Sequence, residues 1–284
     1  MDELAEEFEA ERARLRGLAF RMLGSAAEAD DAVQEAWLRL NRVDSVDNLA
    51  AWLTTVVSRV CLDVLRSRKA HREEPFDVVP DLSADADPAG EVELADSVGR
   101  ALLVVLDALG PAERIAFVLH DLFAVPFDRI APVLDRTPVA AKKLASRARQ
   151  RVRGTSPLPP ADLTRHRRVV GAFLAAARGG DLEELLDVLA PDVVRHADAA
   201  ALPVGAALEA RGARAVAEET QVFGKRAHFA EAALVDGAVG VVVAPRGRLL
   251  LALAVTVEGE RVAAYEVIAD PARLAALHVT LFSA

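Results

Sequence analysis

The chain has 284 residues, 52% of them hydrophobic, and a formal net charge of −9: enough apolar material for two domains or three small ones. A single cysteine, Cys61, excludes an internal disulfide and fits a reducing cytosol. The acidic N-terminus has no apolar signal region, the longest apolar run (Leu249–Val257) is too short to span a membrane, and the six scattered histidines show no metal-site spacing.

Residues 4–23 form one expected helix, ended by Gly24. Ser25 and Glu28 make the S-x-x-E pattern of a capping box and open a second helix to about Leu40. Val33, Trp37 and Leu40 share its apolar face, while Asp30, Asp31, Gln34 and Glu35 crowd a polar one. After the polar loop Asn41–Val46, Asp47 is placed to cap a third helix, with Leu49, Trp52, Leu53, Val56, Val57, Val60 and Val64 at helical spacing. Trp52 lies on that apolar face and reads as core. The helix turns basic at its end (Arg59, Arg66, Arg68, Lys69, Arg72), and the lone acid there, Asp63, reads as a salt-bridge partner of a neighbouring arginine.

Glu73–Asp96 holds nine acids and no Lys or Arg, broken by Pro75, Pro80, Pro88 and Gly90. It reads as a solvating tether, or more sharply as a segment that repels DNA or rests against a basic face until the protein is engaged, its last residues beginning the next helix, Glu91–Leu109. Gly110-Pro111 starts another, to Phe123. A short apolar helix follows (Phe127, Ile130, Val133, Leu134), shortened or kinked by Pro132. Asp135-Arg136 make a turn, and Thr137-Pro138 cap and start the next helix. From Arg136 to Arg153 there are seven basic residues and no acid, with Ala141, Leu144, Ala148 and Val152 on one apolar face. This is the pattern of a helix-turn-helix, whose second helix enters the DNA major groove.

The proline-rich run Gly154–Asp162 is a stiff spacer. Beyond it come an amphipathic helix (Leu163–Arg178), a short helix capped by Asp181, a strand at Val193–Ala197 and a helix at Arg211–Phe223. Strands follow at His228–Val235, Ala238–Ala244, Leu249–Val257 and Arg261–Ala269, the first pair joined by the hairpin signal Asp236-Gly237. Helices followed by antiparallel strands indicate an α+β domain with a curved sheet. His196, Asp198, His228, Tyr265 and Glu266 would line a cavity there if the strand phases allow.

Two helical modules on an acidic tether, the second with a helix-turn-helix, resemble an extracytoplasmic-function sigma factor of the sigma-70 family. Ala29–Leu38 (ADDAVQEAWL) is similar to the family's polymerase-clamp segment. Trp52, Arg59, Asp63 and Arg66 are similar to its minus-ten helix, and Leu109–Arg114 with the helix-turn-helix to its minus-thirty-five module. Residues 155–284 resemble a SnoaL-type domain of the NTF2-like superfamily, as in a subgroup whose C-terminal extension regulates the factor. Leu144–Arg149, Asp192–Val194 with Asp198, and Asp270-Pro271-Ala272-Arg273-Leu274 match that subgroup. It usually follows the aspartate with glycines, where this chain has Ala199-Ala200-Ala201.

The resemblance implies two all-α sigma modules followed by the α+β domain: region 2 at 1–74, an acidic linker at 75–92, region 4 at 93–153, a proline-rich linker at 154–162 and the SnoaL-like regulatory domain at 163–284. It implies that Asp30, Asp31, Gln34 and Glu35 face the polymerase core, through the clamp of the largest subunit, with the flap of the second-largest as a further contact. Val139, Lys142, Lys143 and Ser146 would read minus-thirty-five base edges, and Arg136, Arg149 and Arg153 would hold phosphates. Asn48, Arg59, Arg66, Arg68 and Lys69 would serve the melted minus-ten strand. Asp198, Asp270, Pro271, Arg273 and Leu274 would form a regulatory interface. No cofactor, metal or membrane is expected, the location is cytoplasmic, and the C-terminal domain is a candidate for a small ligand. The competing classes are a one-component DNA-binding regulator, which leaves the first module without a task, and a SnoaL-like enzyme, which leaves two basic helices unexplained.

Overall fold

The computed structural model describes residues 2–43, 46–72, 99–203 and 205–282, so the acidic tether and the expected helix start at Glu91 lie outside the described residues. The chain packs as two compact units, Met1–Val98 with Leu106–Arg151, and Gly99–Val105 with Val152–Ala284. Gly99–Val105, at the start of the second helical module, packs with the second unit.

The first unit is helical among the described residues. Helices α1 (Asp2–Leu23), α2 (Ala26–Leu40) and α3 (Leu49–Arg72) bury Leu15, Phe20, Met22, Leu40, Leu53 and Leu62 completely. Ser25 caps α2 by accepting from the Glu28 N–H at 3.4 Å. The capping box does not close, because the Glu28 carboxylate is ion-paired with Arg68 of α3 instead. Helix α3 is capped by Asn48 rather than Asp47: its Oδ1 accepts from the Ala51 N–H at 2.9 Å. Leu53, Val57, Cys61 and Leu65, four residues apart, form its buried stripe, while Trp52, Val56, Val60 and Val64 are half-buried beside it. Trp52 is therefore at the margin of the core.

Helix α4 (Arg100–Asp107) starts in the second unit and ends in the first. After Gly110, α5 (Pro111–Phe117) opens with its proline, as expected, but Val118–Leu122 winds into a π-helical turn closed by Ala124 at φ 54°. Helix α6 (Phe127–Leu134) is held to eight residues by Pro132 within it and left-handed Asp135 after it. Helix α7 (Pro138–Val152) begins where Thr137 Oγ1 accepts from the Ala140 N–H at 3.2 Å. It buries Ala141, Ala145, Ala148 and Val152, with Leu144 half-buried.

The second unit contains helices α8 (Pro160–Gly179), α9 (Leu182–Val188) and α10 (Ala213–Phe223) with strands β1 (Leu189–Ala197), β2 (Glu209–Arg211), β3 (Ala230–Val235), β4 (Ala238–Val243), β5 (Leu251–Glu258), β6 (Arg261–Ile268) and β7 (Val279–Thr280). A short helix, α11 (Pro271–Ala276), precedes β7. The sheet order is β2-β1-β6-β5-β4-β3-β7, antiparallel except between β1 and β6. One face carries the main core, in which Val170, Phe173 and Leu174 of α8 meet Leu234, Val241, Val255 and Tyr265. The other face holds a smaller cluster, Ala233, Val235 and Val242 with Ala101 of α4. Asp236 and Gly237 both have positive φ (50° and 83°), as a tight hairpin turn requires. The proline-rich segment lies on that turn: Ser156 Oγ donates to the Gly237 carbonyl at 2.7 Å. No described helix is long and apolar enough to cross a membrane.

Candidate nucleic-acid interface

The basic helix α7 presents the side chains singled out from sequence. Val139 is 66% exposed, and Lys142, Lys143, Ser146, Arg147 and Arg153 are also exposed. Lys142, Lys143 and Arg147 make no ion pair among the described residues. Two arginines further along are engaged internally. Arg149 Nε donates to Asp121 Oδ1 at 2.7 Å, a bond that raises the guanidinium pKa, and Arg151 reaches Glu113 at 2.7 Å. Asp121 lies in the π-helical turn and Glu113 in the first turn of α5, so two carboxylates tie the C-terminal half of α7 to one preceding segment. The turn is braced further, with the His120 ring stacked on Phe127 at 3.9 Å and its Nδ1 3.1 Å from the Val125 carbonyl. Sequence reasoning missed Asp121 and Glu113, because acids on a half-buried helix carry no periodic signal. Arg136 donates to the Asp135 carbonyl at 3.1 Å.

The basic end of α3 is more occupied. Arg59 Nη2 donates to the Pro132 carbonyl in the last turn of α6 at 2.9 Å. That oxygen is open because the Arg136 N–H turns back to Ala131 at 3.0 Å. Arg68 is paired with Glu28 and also donates to the Leu23 carbonyl at 2.8 Å. Arg66 is 3.7 Å from Asp63, the pairing expected from sequence, and Lys69 is exposed. Asn48 serves as the α3 cap. Beneath these, Arg114 of α5 is 3% exposed, and its Asp107 partner stands 3.4 Å away. Burial lowers the guanidinium pKa to about 10, and its Nε finds no hydrogen-bond partner among the described residues. Burial likewise pushes the nearby Cys61 thiol up to about 12.

On α2, Asp30, Asp31 and Gln34 are exposed and Glu35 half-buried along one face. Asp30 is paired with Arg16 at 2.7 Å and Glu35 with Arg39 at 2.8 Å. Both pairs are surface contacts of small net worth, up to about 1 kcal/mol.

Two family profiles match the chain, "Sigma-70 region 2" over residues 8–71 and "Sigma-70, region 4" over residues 99–152. The Mycobacterium tuberculosis (strain ATCC 25618 / H37Rv) protein named "Probable ECF RNA polymerase sigma factor SigI" is 41% identical over 205 residues, covering 70% of this chain and 71% of the relative. The chain belongs to the extracytoplasmic-function sigma factors. The ECF RNA polymerase sigma factor SigJ of the same strain is 47% identical over 201 residues, 68% of this chain and 64% of that protein. The crystal structure of M. tuberculosis SigJ aligns over 95% of this chain and 98% of that one, at 35% identity and a TM-score of 0.46. This sigma factor thus directs RNA polymerase core to promoters, with region 2 in α1–α3 and region 4 in α4–α7, followed by a C-terminal domain built on a seven-stranded sheet.

In the C-terminal domain of the sigma factor, two segments far apart in sequence meet. Asp198 Oδ2 accepts from the N–H groups of Ala269 and Asp270, both at 3.0 Å, and Oδ1 from Arg273 at 2.6 Å. Burial pushes the Asp198 carboxyl up, but the Asp270 and Ala269 N–H groups and the Arg273 guanidinium outweigh it and hold it below the ordinary carboxylate value. Arg273 also reaches Glu266 at 2.8 Å, and Asp270 caps α11. Pro271 is exposed and Leu274 half-buried. The five expected interface residues therefore gather at one end of the sheet, centred on an intradomain bracket.

The proposed polar cavity lining does not assemble. Arg195 pairs in register with Tyr265, and His196 with Glu266. Side chains alternate along a strand, so these two pairs point to opposite faces. Tyr265 is buried, its hydroxyl 3.1 Å from Thr220 Oγ1, and Arg195 is buried in an ion pair with Glu219. His196 and His228 are exposed.

Proposed function

We propose that α7 reads the minus-thirty-five duplex through Val139, Lys142, Lys143 and Ser146, while Arg136 and Arg153 hold phosphates. The observation that carries this is the exposed, unpaired cluster on the N-terminal half of α7, where a recognition helix meets base edges. The Asp121 bond supports a different task for Arg149, fixing the pose of α7. Asn48, Arg59, Arg66, Arg68 and Lys69 serve the melted minus-ten strand. Asp30, Asp31, Gln34 and Glu35 meet a basic surface of the polymerase clamp, and region 4 meets the flap. The factor acts in the cytoplasm, where polymerase works.

Region 2 and most of region 4 share one compact unit, with Arg59 bonded to α6. A body of about 140 residues has a radius of gyration of about 14 Å. Elements about 25 base pairs apart are separated by roughly 85 Å of duplex at 3.4 Å per pair. One closed unit cannot reach both, so the two regions part on the promoter and Arg59 is released to the DNA.

The SnoaL-like C-terminal domain modulates the factor in cis by packing rather than by turnover. Supporting this, the second unit incorporates Gly99–Val105 and Val152 from the two ends of the region 4 profile. The test is reconstituted transcription with core polymerase, comparing the full chain with chains ending after Ser156 and after Thr164. The full chain starts promoter-specific transcripts, and the shortened chains differ from it. Identical behaviour of all three rejects modulation in cis. Turnover of a small molecule by the full chain, lost in Asp198→Ala, would reject the packing role.

A further inference from the structure

The first residues of the region 4 profile fold as part of the second unit. Helix α4 starts there against the outer face of the β3–β4 hairpin, with Ala101 fully buried on Ala233, Val235 and Val242. A helix start leaves backbone N–H groups without partners, and Gly99, which precedes this one at φ 81°, has no side chain to offer. The cap comes from 130 positions away: the Ala101 N–H donates to Glu231 Oε2 of β3 at 2.7 Å. A carboxylate is the favoured charge at that end of a helix.

Two further contacts define the same turn. The Arg100 guanidinium stands 5.5 Å from the centre of the Phe229 ring, the residue before β3. Leu103 is fully buried and approaches Gly247 so closely that a Cβ on that glycine would stand 2.8 Å from the Leu103 Cβ. Gly247 also has φ 70°, so a larger residue is excluded on both counts. From this first turn α4 runs unbroken to Asp107, the carboxylate that faces buried Arg114 of α5. Asp107 is the last residue of the helix whose first turn Glu231 caps.

We propose that Glu231 is a positioning residue for promoter recognition: it holds the first turn of region 4 helical, and through α4 and Asp107 sets how firmly the helix-turn-helix module is folded. The proposal rests on modulation by the C-terminal domain in cis. It assigns that modulation to one carboxylate and one helix start.

The experiment uses the full chain with Glu231→Ala, Glu231→Gln and, as a control on the same sheet, Glu258→Ala. Amide hydrogen exchange is followed across residues 100–107. Transcription with core polymerase is compared on promoters with an intact and a scrambled minus-thirty-five element. In Glu231→Ala, exchange at Ala101–Leu103 rises about fivefold, the size of a lost N-terminal cap. The preference for the intact element falls several-fold, while exchange in β5 and β6 is unchanged. Gln keeps the acceptor but not the charge, so Glu231→Gln moves both readouts about half as far, and Glu258→Ala moves neither. If Glu231→Ala does not fold, wild-type values in both readouts for Glu231→Gln overturn the proposal. Unchanged exchange in Glu231→Ala overturns it, and so does faster exchange with an unaltered promoter preference, which makes the cap structural only. If the chains ending after Ser156 and Thr164 behave as the full chain, modulation and proposal fail together. If they differ and Glu231→Ala does not, the proposal alone fails.

Discussion

The two basic helices of this sigma factor differ in what their cations already hold. On α7, Lys142, Lys143 and Arg147 face outward without ion-pair partners among the described residues. On α3, Arg59 is bonded to the Pro132 carbonyl, Arg68 holds Glu28 and the Leu23 carbonyl, and Arg66 stands 3.7 Å from Asp63, while Lys69 is exposed. A rigid helix with free cations is ready for a duplex. A helix whose cations are bonded within the unit becomes available only when those bonds are exchanged. The difference teaches that sequence-level basicity counts charges and not their availability.

The largest expected effect lies beneath that basic end, at the buried Arg114. Asp107→Ala leaves the Arg114 guanidinium buried without its carboxylate. The expected loss of stability is about 2–3 kcal/mol, below that of a fully buried pair because the Asp107 side chain is 36% exposed. Denaturant midpoints measure it. Arg114→Met, which removes the buried charge itself, should be near neutral; a comparable loss there would show that the Arg114 charge is not the weak point.

Next in size is Lys142→Ala. Holoenzyme carrying it should lose about 1–3 kcal/mol of discrimination between matched and scrambled minus-thirty-five elements, roughly 5- to 150-fold. Arg59→Ala should leave that discrimination intact and slow promoter melting. Equal losses on both DNAs for Lys142→Ala would break the assignment of base readout to that side chain.

Smaller, and sharper for the contrast, is the dependence of binding on salt. Removing one phosphate contact lowers the log–log salt slope by about 0.9. Arg153→Ala should show that change. Arg149→Ala should weaken selection with the slope unaltered, because Arg149 is bonded to Asp121. A fall in slope for Arg149→Ala would return it to the phosphate contacts.

The smallest effect concerns a charge held internally in the C-terminal domain. The Asp198 carboxyl is held below its ordinary value in the folded chain. Its contribution is therefore complete above the unfolded value of about 3.9 and is lost as pH falls through the lower folded value. Stability should be independent of this group from about pH 5 to 8 and decline only in acid. Asp198→Asn should remove its share of that acid decline, read from unfolding curves at pH 3 and pH 6.

Local chemistry made much of this molecule legible in advance. Thr137-Pro138, the Asp135 turn, the burial of Ala141, Ala148 and Val152 on α7 and the Asp236-Gly237 hairpin all follow from residues within one or two turns of each other, whereas Ala145 takes the buried place expected of Leu144. What escaped reading depends on distance along the chain. The parallel pairing of β1 with β6 joins residues some 70 positions apart, and strands β2 and β7 have only three and two residues to carry a pattern. The cavity lining expected from His196, Tyr265 and Glu266 failed on strand phase. Asn48 replaced Asp47 as a cap because the two stand side by side and only backbone geometry chooses between them. Arg149 looked like its neighbours on a helical wheel, and its partner, 28 positions away, lies in a π-helical turn that no local pattern announces.

The packing of Gly99–Val105 with Val152–Ala284 has a consequence for how such a chain can evolve. The C-terminal domain is continuous with the rest at its front edge but has drawn one of its own pieces from upstream of the helix-turn-helix. A gene split after Arg153 would yield two products, and neither would encode a whole second unit. Without the second product, Ala101 and Leu103 in the first would lose the hairpin residues they cover. The second unit is therefore encoded in two stretches, one on each side of the helix-turn-helix.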